Sequence, residues 1–211
     1  MKVLIEKEFR RVYKTKPIFL LFTLIFFCNL VVNIDHGTMP ACSIEIKEKV
    51  QIQNLKFGML GSIVYVGLTF GSIFATGLFS KGKWIKPTLV ASLLLNVVSL
   101  LLFTETSSFY VMVFFRAMIG FCQIFVCIFQ PVWADTFGTE KQKSIFLTLL
   151  LLASPLGVVF GYTITYYMIQ YYTWEYSFYV QALCLLPCAI ILIFTPTKYI
   201  DVEFALSIKA Q

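Results

Sequence analysis

Residues 144–174 read SIFLTLLLLASPLGVVFGYTITYYMIQYYTW, a stretch of 31 residues without one Asp, Glu, Lys, Arg or His. The hydrocarbon core of a bilayer is about 30 Å thick, and an α-helix needs about 20 residues to cross it. Because lipid offers no partners to backbone N–H and C=O groups, an apolar run of this length can cross only as a helix. This one stretch therefore predicts an integral membrane protein.

Other parts of the chain share this property. Four further stretches carry no charged residue, and a fifth carries only Arg116. In chain order the six are Pro17–Ile34, Phe57–Ser80, Pro87–Thr104, Thr106–Ala134, Ser144–Trp174 and Tyr176–Thr197. They predict an all-α membrane protein with six transmembrane helices. The domain organisation expected from them is a cytoplasmic basic segment over residues 1–16, a six-helix transmembrane bundle over 17–197 and, over 198–211, a cytoplasmic tail or the start of a loop to a second half.

The distribution of Lys and Arg predicts the orientation. Thirteen of them lie in the N-terminal segment, the loops after the second and fourth spans and the tail, whereas three lie in the other loops. Cytoplasmic loops carry the excess of Lys and Arg, so both termini are expected in the cytoplasm. The net charge of +6 then lies beside anionic lipid. No basic run is interleaved with aromatic residues, which argues against a nucleic-acid partner.

The sequence carries no pattern typical of an enzyme. Five of its six cysteines lie within the predicted spans, and no CxxC or Cys/His pair is present, so we interpret them as packing residues. With His36 as its one histidine, the chain offers no clustered metal ligands. Phosphate-binding and dinucleotide-binding glycine motifs are also missing. We therefore expect no metal, no cofactor and no catalytic residues.

Two glycine steps predict close helix contacts. Gly67 and Gly71 lie one turn apart in the second span, and Gly157 and Gly161 do so in the fifth, after Pro155. Small residues at this spacing let helix backbones approach closely in lipid. The steps occupy equivalent places if the chain consists of two three-helix units, which is a recurring plan in transporters when one unit is inverted.

Charged side chains inside the spans are the strongest functional signal. Asp35 is expected at the end of the first span, about 27 Å from its start, and Arg116 lies about nine residues into the antiparallel fourth span. A charge deep in a helix costs roughly 2.5–3.5 kcal/mol, while a pair 4 Å apart recovers about 4 kcal/mol at an effective dielectric of 20. A pair is therefore expected, with an interfacial carboxylate as the alternative for Asp35. His36 is a candidate proton sensor, or simply a polar residue at a helix end.

Polar residues on the first and fourth spans are expected to face one another. Arg116, Gln123 and Gln130 recur every seven residues and so share one helix face. Such a stripe either lines a path or stabilises a structural bundle. The candidate path residues are Asn33, Asp35, His36, Thr38, Arg116, Gln123 and Gln130.

The fourth span also carries a family resemblance. Arg116-Ala117-x-x-Gly120-x-x-Gln123, followed by Gln130-Pro131-x-x-Ala134-Asp135, resembles the fourth-helix signature of the major facilitator superfamily, and in particular its spinster-like branch. Asp35-His36-Gly37-Thr38 and Ser154-Pro155-Leu156-Gly157 resemble the same family's first and fifth helices. The resemblance covers all six spans and implies the N-terminal half of a twelve-helix fold.

That resemblance implies a secondary active transporter, a symporter or an antiporter, that moves a small organic or lipid-like solute by alternating access. It also implies that the first and fourth spans line the path, the second and fifth face a second half, and the third and sixth face lipid. Arg116 would suit an anionic headgroup. The organelle stays open between lysosomal or other endomembranes and the plasma membrane.

Three departures from the family pattern matter. The loop after the second span keeps Gly77 and the basic Lys86 but has Lys81 where the family has Asp, which puts in doubt the contact that this Asp makes with the second half. Gln123 replaces a Glu and cannot titrate, so coupling to protons would fall to Asp35, with His36 as the other candidate. Finally, 211 residues provide one half, which suggests a partial chain, a dimer of half-transporters or a non-transporting remnant that serves as an assembly subunit.

Overall fold

The computed structural model describes residues 12–79 and 82–210, and within them every regular element is helical. The α-helices are α1 Thr15–Val32, α2 Ile34–Ala41, α3 Ser43–Val50, α4 Asn54–Phe79, α5 Ile85–Glu105, α6 Phe109–Phe137, α7 Glu140–Tyr171, α8 Glu175–Phe194 and α9 Val202–Ala210. Single 3₁₀ turns cover Gly82–Trp84 and Thr197–Tyr199. Six spans are long and apolar enough to cross a membrane, with α1 and α2 together forming the first. The predicted all-helical, six-span architecture is confirmed.

The first span differs from expectation because it continues past its charged residue. It runs over Thr15–Ala41 with a one-residue interruption at Asn33, whose φ of −89° and ψ of −1° stay in the right-handed helical region. Asp35 therefore lies inside the span and not at its end. The charge of Asp35 ends the apolar stretch of the sequence at Ile34. The span nevertheless continues past it, because the fold neutralises this charge, as described below.

Close packing follows the two glycine steps. A Cβ atom at Gly67 or Gly71 would collide with the backbone of Ala117 or Phe121 on α6. On the other side of the bundle, α7 meets the first span in the same way: Gly157 lies against Leu30 O and Gly161 against Ile34 O. All four glycines are buried. They hold this six-helix unit together, and they do not lie on the exposed faces of α4 and α7, where the sequence had suggested contact with a second half.

The arrangement of the spans is that of a duplicated three-helix unit. Helix α4 packs along α6 and α7 packs along the first span, while α5 contacts both α6 and α8. If the first three spans are exchanged for the last three, the α4–α6 contact becomes the contact of α7 with the first span, and the α5–α6 contact becomes that of α8 with the first span. The α5–α8 contact is unchanged by the exchange. The glycine steps obey the same exchange. The packing thus matches two inverted three-helix repeats.

The residues after the sixth span are folded against the bundle. Tyr199 packs edge-on against the ring of Tyr13, with 5.7 Å between ring centres, and its carbonyl accepts a 2.8 Å hydrogen bond from the Trp133 indole. The Gly82 amide donates to Glu203 Oε2 at 2.9 Å. Burial raises the pKa of Tyr13 to about 12, and the nearby Asp201 carboxylate adds to this shift. The expected tail is therefore an ordered segment that joins three membrane-proximal ends of the bundle.

Candidate functional site

Asp35 and Arg116 form a buried ion pair between the first and fourth spans. Arg116 Nη1 donates to Asp35 Oδ2, and Gln123 Nε2 donates to Asp35 Oδ1 at 2.8 Å. The side chain of Asp35 is completely buried, and that of Arg116 is 1% exposed. The predicted pair is present. Gln123 lies seven residues after Arg116, on the same face of the helix, and binds the same carboxylate through its other oxygen. Both carboxylate oxygens therefore have a donor.

The pair is not easily explained by stability alone. Two charges taken out of water lose several kcal/mol of solvation each, and replacing a buried ion pair with apolar residues is often neutral or stabilising. In addition, Arg116 Nε has no hydrogen-bond partner among the described residues. Arg116 thus pairs with Asp35 through Nη1, while its Nε–H has no acceptor in the described part of the chain. Such a guanidinium could also bind a second anionic partner.

The break in the first span lies directly beside this pair. Where the helix is interrupted, the carbonyl of Val32 accepts a 3.0 Å hydrogen bond from Gln123 Nε2, and the carbonyl of Val31 accepts one of 2.9 Å from Gln181 Nε2. Backbone groups freed inside a membrane are costly unless other groups satisfy them. Side chains from the fourth and sixth spans thus stabilise the interruption, and Gln123 connects it to the Asp35 carboxylate.

A second polar cluster supports the other side of the break. Asn33 Nδ2 donates to Asn29 O at 2.7 Å and to Asn29 Oδ1 at 3.0 Å, while Asn33 Oδ1 accepts from Ser154 Oγ at 2.9 Å. Asn29 in turn donates to Leu150 O at 2.8 Å. These contacts tie the broken segment to α7, so the break is braced by three different spans.

The remaining predicted path residues occupy different environments. His36 is partly exposed and stacks on Tyr65 of α4, with 6.1 Å between ring centres, so it lies beside the ion pair without entering it. Thr38 is buried and donates to Ile34 O of its own helix at 3.2 Å. Gln130 is 7% exposed, and its Oε1 has no partner among the described residues. Of the seven candidates, Arg116 and Gln123 both contact Asp35, and Asn33 lies at the adjoining interruption.

The predicted loop motif is only partly assembled. Lys86 Nζ donates to Ile193 O and Thr195 O at 2.7 Å each, which holds the start of α5 against the end of α8. Asp135 pairs with Lys143 across the short turn between α6 and α7. Gly77 and Pro155 lie on exposed positions of α4 and α7, and Lys81 lies outside the described residues.

Sequence reasoning missed two buried amides, Asn29 and Gln181. Both are nearly inaccessible to solvent and both satisfy backbone carbonyls of neighbouring spans. A signal was available, since each is a large polar residue in an otherwise apolar stretch, and Asn29 precedes Asn33 by one helical turn. The predicted polar residues begin at Asn33 on the first span and otherwise lie on the fourth span, so the prediction included neither Asn29 nor Gln181.

Neither metal ligands nor reactive thiols are gathered at this site. Within residues 12–79 and 82–210, no group of three or more His, Cys, Asp or Glu side chains could hold a metal ion. All six cysteines are free, and four of them are buried. The chemistry available at the site is that of a buried carboxylate, a guanidinium and amides, which can exchange a proton or an anion.

Fold and site together define a six-helix membrane unit with a buried charge pair beside an interruption of its first span. A family model described as Major Facilitator Superfamily matches residues 18–206, and the chain belongs to this superfamily. It is 26% identical over 148 residues to a protein of Arabidopsis thaliana named "Probable sphingolipid transporter spinster homolog 3". The match covers 69% of this chain and 28% of that relative. The chain thus spans less than a third of the length of that relative.

Proposed function

We propose that this chain forms half of a proton-coupled secondary transporter for a small organic solute with an anionic headgroup. The buried Asp35–Arg116 pair carries this proposal, because it joins the only deeply buried carboxylate and guanidinium among the described residues at a break in a membrane helix. Transporters of related architecture place their substrate and ion sites near the bilayer midplane, at interrupted helices.

The proposed mechanism is an exchange of partners at Arg116. When Asp35 takes up a proton, the carboxylic acid no longer neutralises the guanidinium. Arg116 then binds the phosphate or carboxylate of the solute, for which its planar donors are suited. Release of the solute restores the pair once Asp35 loses its proton to the other side. Gln123 contacts both Asp35 and Val32 O, and it thereby links protonation to the shape of the broken span.

A second six-helix unit would complete the path. Helices α4 and α7 are the most exposed of the six spans. Of the residues in their most apolar 18-residue segments, 22% and 28% are buried, compared with 44–50% for the other four spans. We propose that the exposed faces of α4 and α7 meet the second unit, which is either a continuation of this chain or a second copy of it. The mass of the detergent-solubilised protein distinguishes a dimer from a monomer.

Uptake into proteoliposomes tests the proposal. An inward proton gradient should drive accumulation of fluorescent sphingosine 1-phosphate, chosen as an anionic lipid-like probe. Asp35→Asn should abolish this accumulation and leave probe exchange partly intact, whereas Arg116→Ala should impair both. Glu105→Gln is the matched control, because Glu105 is exposed and bonded to Tyr179 at 2.6 Å.

Undiminished proton-driven accumulation by Asp35→Asn would refute the proposed coupling. Failure of the unmodified protein to move this probe or other organic anions, with or without a gradient, would favour the alternative function of an assembly subunit.

A further inference from the structure

An apolar groove lies between the first and sixth spans, at the membrane face where the described part of the chain begins and ends. It has a volume of about 290 Å³ and is lined by Pro17, Leu20 and Leu24 of α1 and by Ile191 and Phe194 of α8, with Tyr199 at its end. The Thr195 hydroxyl is turned away to Ile191 O, at 2.8 Å. The groove therefore offers an occupant almost no hydrogen bonds along its length.

The position of the groove indicates that a lipid chain can enter it. Pro17 is the third residue of the first span, and Phe194 is the last residue of the sixth. Leu20 is 73% exposed and Phe194 is 80% exposed, so both sides of the groove open toward the surroundings of the bundle. At this depth those surroundings are the acyl chains next to the headgroup region.

The end of the groove is positively charged. Lys198 Nζ lies 5.0 Å from the centre of the Tyr199 ring, and the exposed Lys16 directly precedes the lining residue Pro17. Lys14 follows Tyr13, whose ring packs on Tyr199. The Asp201 carboxylate also lies near Tyr13. Basic pockets between transmembrane helices on the cytoplasmic side suit anionic lipid headgroups.

We propose that this groove binds a bilayer phospholipid with an anionic headgroup, with one acyl chain between α1 and α8 and the phosphate near Lys16 and Lys198. The site is separate from the Asp35–Arg116 pair and does not depend on the proposed transport. A lipid bound there would bridge the start of the first span and the ordered segment after the sixth.

Native mass spectrometry of the full chain tests this proposal. The protein is purified in micelles that contain equal amounts of phosphatidylglycerol and phosphatidylcholine, and the retained lipid is counted. The unmodified protein should retain phosphatidylglycerol preferentially. Lys16→Gln with Lys198→Gln should reduce the preference about five-fold per lysine, whereas Lys16→Arg with Lys198→Arg should preserve it. Lys141→Gln, at the start of α7, is the charge control.

The apolar part is tested separately by Leu20→Trp, which adds bulk in the groove at an exposed position and should lower retention of both lipids. Phe19→Trp is its control, because the neighbouring Phe19 packs on Phe146 on another side of the helix, with 5.7 Å between ring centres. Equal lipid preference in the unmodified protein and the double Gln variant would overturn the headgroup assignment. Equal retention by Leu20→Trp and Phe19→Trp would overturn the acyl site.

Discussion

The buried pair predicts an unequal response to the loss of either partner. Asp35→Asn leaves the guanidinium of Arg116 buried without a counter-charge, and a guanidinium cannot lose its proton in a protein. Removing one member of a buried pair costs about 3–5 kcal/mol. A change of 1 kcal/mol shifts the melting temperature of a protein of this size by about 2–4 °C. Asp35→Asn should therefore lower the melting temperature by roughly 6–20 °C.

Arg116→Gln should be less damaging at low pH, because the remaining carboxylate of Asp35 can bind a proton and become neutral. As the pH rises, Asp35 loses that proton and an unpaired charge is buried, so the stability of this variant should fall toward that of Asp35→Asn. The double variant Asp35→Asn with Arg116→Gln removes both charges and should approach the unmodified protein, since neutral replacement of a buried pair is often tolerated.

Thermal unfolding in detergent, followed by intrinsic fluorescence from pH 5 to pH 8, measures these differences. The reasoning is refuted if the double variant is as unstable as Asp35→Asn alone, or if Arg116→Gln shows no greater loss of stability at high pH than the unmodified protein.

Three further predictions concern packing, the helix break and orientation. Gly67→Ala should destabilise the bundle because the new Cβ collides with the α6 backbone, whereas Gly61→Ala, with nothing within 4 Å, should be neutral or stabilising by up to about 1 kcal/mol; melting temperatures that fall equally would contradict this. Gln181→Leu removes the side-chain donor to Val31 O beside the interruption and should lower the free energy of unfolding by about 1–3 kcal/mol. An unchanged melting temperature would show that Gln181 does not stabilise the interruption. Lys141→Cys should react with an impermeant thiol reagent only from the cytoplasm and Glu48→Cys only from the opposite side, and the reverse result would overturn the proposed orientation.

The number and position of the spans could be read from the sequence because charge is so strongly excluded from lipid. Six apolar stretches became six spans, and the Gly67–Gly71 and Gly157–Gly161 steps became close helix contacts. The sequence did not show which helix packs against each glycine step, because such a step indicates close approach to another helix without identifying that helix. The structure assigns both steps to contacts within the six-helix unit.

The candidate site was predictable in part. The energetic need to neutralise Asp35 and Arg116 predicted their pairing, and helical periodicity placed Gln123 on the same face. The break at Asn33 could not be derived, because it depends on amides from distant spans, above all Gln181, that satisfy the freed carbonyls. The end of the first span was misjudged for a related reason, since a charge marks a membrane boundary only when it has no partner.

The central claim is that the Asp35–Arg116 pair couples proton movement to solute movement, and proton flux measures this most directly. Proteoliposomes loaded with a pH-sensitive dye are exposed to sphingosine 1-phosphate without an imposed gradient. For the unmodified protein the account predicts a change of internal pH on addition of the solute. For Asp35→Asn, which keeps Arg116 to bind the solute, it predicts no such change, although solute exchange partly persists. Solute-dependent proton flux in Asp35→Asn, equal to that of the unmodified protein, would contradict the account.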